Sequence, residues 1–96
     1  MFVGMTLDEF VDELIRRAAV LGYHPTIFMR MRAEHGTVSA IRRIVESSEP
    51  QSGFKRLKEL GLTDWCLESG VLKYPDQFPA KTAVYAKARL DGILDV

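Results

Sequence analysis

The chain's only imidazoles and its only thiol are His24, His35 and Cys66, and their surroundings set what chemistry they could do. Arg30 and His35 are separated by four residues. An arginine and a histidine so spaced could cleave RNA, with His35 as general base or acid toward a 2′-hydroxyl and Arg30 neutralising charge on the phosphorane. His24 precedes Pro25 and reads as a helix-start residue. Neither histidine has a metal-ligating partner three or four residues away, and one cysteine excludes an internal disulfide and a four-cysteine zinc site, so no metal or cofactor is expected. Cys66 lacks an adjacent base, and a buried structural thiol is expected. Asp64 and Glu68, four apart, could hold a metal or exchange protons only if a third group joined them, and none does. They read instead as a helix cap and as a partner for Arg89 or Lys87 across a helix contact. With no phosphate loop, G-x-G-x-x-G or G-x-S-x-G either, no catalytic residue is assigned.

The more informative feature is charge. Thirteen Lys plus Arg balance thirteen Asp plus Glu, which argues against a polycation or a disordered acidic tail. The distribution is uneven: residues 1 to 13 carry four acids and no base, residues 14 to 58 nine bases and three acids, residues 59 to 96 six acids and four bases. Arg16, Arg17, Arg30, Arg43, Lys55 and Arg56 all project away from their helices' apolar stripes. A shared face would suit nucleic-acid phosphates or an acidic protein surface, although basic residues late in the first helix also complement its dipole. Phe2, Met5, Met29 and Tyr85 lie outside the stripes and favour docking or a homodimer. Around Gly36 and Thr37 the chain has the outline of a helix-turn-helix offering Ser39, Arg42 and Arg43. However, Arg32 and Arg42 stand where packing residues are wanted, so a plain αα-hairpin is equally expected.

The elements that must position these groups are helical: apolar residues recur at three and four, and strand signals are nearly absent. The expectation is all-α, a compact bundle of five or six short helices forming one domain over residues 1–96. Thr6-Leu7-Asp8-Glu9 is a capping box that opens the first helix, with Phe10, Val11, Leu14, Ile15, Ala18 and Leu21 as its stripe and Gly22 as its stop. Pro25 opens a second, with Ile27, Phe28, Met31 and His35 on one side and Gly36 closing it. Thr37 caps a third, with Val38, Ile41, Ile44 and Val45 inward, Arg43 and Glu46 in water, and Pro50 as the break. Ser52 caps a fourth that buries Phe54, Leu57 and Leu60 and closes at Gly61. A fifth runs from Thr63 or Asp64 to about Lys73, packing Trp65, Leu67, Val71 and Leu72, with Gly70 permitting close approach. After a two-proline turn, a last helix spans Ala80 to about Leu90. No eighteen apolar residues run together and no positive leader is present, so a cytoplasmic protein is expected.

From Gly22 onward the residues resemble a small, uncharacterised bacterial all-α module: Tyr23, Pro25, Phe28, Met31, Gly53-Phe54, Leu57, Asp64, Glu68, Val71-Leu72, Phe78 and Ala86-Lys87-Ala88-Arg89-Leu90. Leu62, Cys66 and Gly70 depart from its arginine, threonine and leucine. The resemblance implies an all-helical fold and no particular chemistry. The Arg30/His35 spacing separately resembles the signature of the all-helical HEPN ribonucleases. The leading expectation is a non-enzymatic helical binding module that contacts nucleic acid or an acidic protein surface through the central Arg/Lys face. The alternatives are a protein interaction or dimerisation domain, such as a regulator encoded by a phage or bacterium, and a HEPN-like ribonuclease.

Overall fold

The computed structural model describes residues 4–47 and 52–92, the side chain of Ser52 excepted. It is all-α: α1 Leu7–Val20, α2 Thr26–His35, α3 Thr37–Val45, α4 Ser52–Glu59, α5 Leu67–Lys73 and α6 Ala80–Leu90, with single 3₁₀ turns at Thr63–Trp65 and Pro75–Gln77. Among the described residues no strand occurs, and no helix is long and apolar enough to cross a membrane.

Helix α1 begins as its capping box dictates. The Glu9 amide donates to Thr6 Oγ1 at 3.1 Å and the Thr6 amide donates to Glu9 Oε1 at 2.9 Å, satisfying two otherwise orphaned donors. Its stripe buries Leu7, Phe10, Val11, Leu14 and Ala18. Thr6→Ala should therefore cost about 1 kcal/mol in a denaturant titration, and an unchanged midpoint would refute the cap.

The centre of the core is Phe10, which stacks on Trp65 at 5.1 Å and meets the edge of Tyr74 at 5.8 Å. Tyr74 in turn donates its hydroxyl to the Met5 carbonyl at 2.7 Å, fastening the start of the chain to the end of α5. Gly70 lets α5 close on α1: a Cβ there would lie 3.0 Å from Phe10 Cε1.

Several expected details are replaced. On α2 only Phe28 is fully buried; Ile27 is 71% exposed and His35 is exposed, because α2 packs chiefly against α3 through a narrow face. Gly36, at φ +87°, is the single residue between α2 and α3, so the pair is a tight hairpin without the three- or four-residue turn of a helix-turn-helix. Thr37 is not a cap. Its hydroxyl accepts from Arg32 Nε at 2.9 Å and donates to the Asp8 carboxylate. Glu46 does not face water but accepts from Arg42 Nε at 2.7 Å and from the Thr82 hydroxyl of α6.

The expected fifth helix is broken at Cys66, whose ψ of 165° is extended. Ser69 donates its hydroxyl to the Thr63 carbonyl at 2.6 Å and receives a 3.4 Å bond from Cys66 Sγ, a local side-chain arrangement that competes with a continuous helix. In consequence Asp64 is exposed in the 3₁₀ turn and shares no helix face with Glu68, and Leu72 is 41% exposed rather than packed. Phe2, Pro50 and the proposed Ser52 side-chain cap lie outside the described residues. Met5 and Tyr85 pack against the core, leaving Met29 exposed as expected.

Candidate binding surface

The basic residues divide by whether a carboxylate already holds them. Arg16 and Arg17 both pair with Glu13, at 2.6 and 2.7 Å. These bonds, Arg16's first, hold the Glu13 carboxyl down at about 2. Arg17 also lies 4.4 Å over the Trp65 ring, so its guanidinium serves the fold through a cation–π contact. Arg56 reaches Glu59 at 3.8 Å. Beyond the expected set, Arg32 bridges Asp12 at 2.8 Å and Asp8 at 3.2 Å, tying α2 to α1. Thr37 and then Arg32 hold the Asp8 carboxyl below its ordinary range. Arg42 and Lys81 share Glu46, and Lys87 meets Asp91. Lys58 and Lys73 also have partners.

Arg30, Arg43 and Lys55 are different. All three are exposed and none has a carboxylate partner among the described residues; Arg43 has only a 3.4 Å bond to Ser39 Oγ. They lie on α2, α3 and α4, so within the predicted basic set the structure separates free cations from committed ones.

Two clefts lie alongside. One, about 1030 Å³, is open and of mixed polarity, with Leu7, His35, Thr37, Val38, Arg42 and Arg43 on its walls. Arg30 is not among its lining residues, and no hydrogen bond or ion pair links Arg30 to His35 among the described residues. The other cleft, about 450 Å³, is apolar. Tyr23, Phe28, Met31, Ile44, Phe54 and Leu57 form its walls, Ile27 stands at its mouth and Arg43 on its rim. Its position between α2 and α4 could not be read from helix periodicity, which says which face is apolar but not whether two apolar faces meet. The i,i+4 pair Arg42–Glu46 was, by contrast, readable from spacing alone.

Glu68 also lines the apolar cleft, held in one of the two pairings, with Arg89 or with Lys87, expected from the sequence. Arg89 Nη1 meets Glu68 Oε2 at 2.6 Å, with the side chains 3% and 2% exposed. Arg89 also donates to the carbonyls of Ser47 at 2.8 Å and Ile44 at 3.4 Å, closing the end of α3 from α6. The contact is structural: each charge faces its counterpart in the interior. Cys66 is 1% exposed, and burial, with the nearby Glu68 charge adding, pushes its thiol up to about 11. At neutral pH it is an enclosed, protonated thiol rather than a nucleophile. Among the described residues no three His, Cys, Asp or Glu side chains gather into a site that could hold a metal ion. Comparison with known protein families, with curated proteins and with solved structures finds no match for the chain.

Proposed function

We propose that the protein is a non-enzymatic helical binding module that engages an acidic protein surface through Arg30, Arg43 and Lys55. The observation that carries this reading is that these three cations are exposed and unpaired by carboxylate among the described residues, whereas Arg16, Arg17 and Arg56 are held by Glu13 and Glu59. A free cation meets a partner's carboxylate without first breaking an internal ion pair. A protein partner is favoured over nucleic acid on charge. Phosphate-backbone affinity grows with the number of cations engaged, and three on a molecule of zero net charge are few. The apolar cleft beside Arg43 also suits amino-acid side chains.

The test uses a fluorescent glutamate-rich peptide. Combined Arg30→Glu, Arg43→Glu and Lys55→Glu should weaken binding at least about tenfold with unchanged helical circular dichroism, and the wild-type affinity should fall as salt rises. Arg16→Glu with Arg56→Glu should have much less effect. Equal losses from the two sets, or a triple variant that binds like wild type, would overturn the assignment. A random DNA duplex bound more tightly than the peptide would transfer it to nucleic acid.

A further inference from the structure

Resting on the reading above, we infer that the apolar cleft between α2 and α4 is the specificity-determining seat for an amphipathic acidic helix of the partner protein, apolar side chains inserted and flanking carboxylates on the basic rim. Helix α4 packs chiefly against the 3₁₀ turn Thr63–Trp65 and touches α2 little. Phe54 and Leu57 of α4 and Phe28 of α2 are buried and make the cleft's floor, while Met31 is half-buried and Ile27 exposed at its edge. Tyr23 spans the two, since its hydroxyl comes within 3.1 Å of where a Cβ on Gly53 would lie, and so closes one end of the cleft.

The cleft's volume, about 450 Å³, is enough for a few inserted side chains. The eight residues of α4 give it a wall roughly 12 Å long, the length of about two helical turns. Charge selects the occupant. Arg43 is on the rim, and the other two free cations, Arg30 and Lys55, lie on the two wall helices outside the lining. No carboxylate among the described residues pairs with any of the three. An occupant that is apolar in the middle and anionic at the flank that meets Arg43 matches the cleft, which is the pattern of helix-in-groove recognition.

Two synthetic peptides of about four helical turns test this. One carries leucines spaced three and four apart with glutamates on its flanks; the other has the same composition with the leucines scattered. The ordered peptide should bind at least about tenfold tighter and shift the methyl resonances of Met31 and Ile44. Ile27→Lys, at an exposed position, should bring the ordered peptide's affinity down toward that of the scattered one without weakening the latter. If both peptides bind alike and Ile27→Lys strengthens both, the cleft assignment falls while the charge reading stands. If neither binds, both fall. Decanoate shifting Met31 and Ile44 where neither peptide does, or a dimer that buries Ile27 in sedimentation, would replace the helix as occupant.

Discussion

Arg89→Met should destabilise the protein by about 3–5 kcal/mol, lowering the melting midpoint by about 15 °C or more for a domain of this size. Methionine fills much of the same volume, so the loss is not a cavity effect. It arises because Glu68, 2% exposed, is left in the interior with no counter-ion. The bonds from Arg89 to the carbonyls of Ile44 and Ser47 are lost as well. Those carbonyls make the prediction specific. An isolated buried ion pair can often be exchanged for apolar residues at little cost, and the double variant Glu68→Met with Arg89→Met should indeed recover most of the loss. It should still fall short of wild type by about 1–3 kcal/mol, the worth of the two charge-assisted bonds that Arg89 gives to those carbonyls. Full recovery in urea unfolding would mean that the guanidinium serves Glu68 alone. Glu68→Gln should be milder than Arg89→Met, because an amide oxygen can still accept from Arg89.

The second large effect is at Gly70, and there its sign is the test. In an ordinary helix interior Gly→Ala adds roughly 1 kcal/mol of stability through backbone propensity. Here the new methyl would lie 3.0 Å from Phe10 Cε1 and 3.4 Å from Cδ1. Phe10 has little room to retreat, being fully buried with Trp65 stacked on it and Tyr74 at its edge. Overpacking wins: Gly70→Ala should lose about 1 kcal/mol and Gly70→Val about 3 kcal/mol. Phe10→Leu combined with Gly70→Ala should cost less than the sum of the single changes, with a coupling of about 1 kcal/mol in a double-mutant cycle. A Gly70→Ala variant more stable than wild type would show that α1 and α5 can separate without penalty.

The parts of this molecule that could be read beforehand are those decided by short-range rules. Thr6 and Glu9 cap α1 because both partners lie within one turn, and Gly22, Gly36 and Gly61 stop helices at positive φ. The Glu68–Arg89 pair was half legible: the sequence offered Glu68 either Arg89 or Lys87, and only the packing of α6, which buries Arg89 and leaves Lys87 exposed with Asp91, decides between them. The break at Cys66 was not legible, since nothing in apolar spacing reveals that the Ser69 hydroxyl will claim the Thr63 carbonyl. His35 shares a helical projection with Phe28, yet only the phenyl ring meets the core, because burial depends on how far the neighbouring helix extends. The basic surface was half legible. Composition places the six cations in the middle of the chain, but which of them are free is decided by tertiary pairing and aromatic stacking. Glu13 claims two, Trp65 covers one of those, and Glu59 holds Arg56, leaving Arg30, Arg43 and Lys55.

The reach of Arg89 bears on how the molecule is made. The side chain that closes the end of α3 and answers Glu68 comes from the final helix, more than forty positions after the Ile44 carbonyl it serves. During translation, α1 to α5 leave the ribosome with an unanswered carboxylate among their apolar faces. The interior between α3 and α5 therefore closes fully only when the last turns of α6 have emerged to bring Arg89 to it.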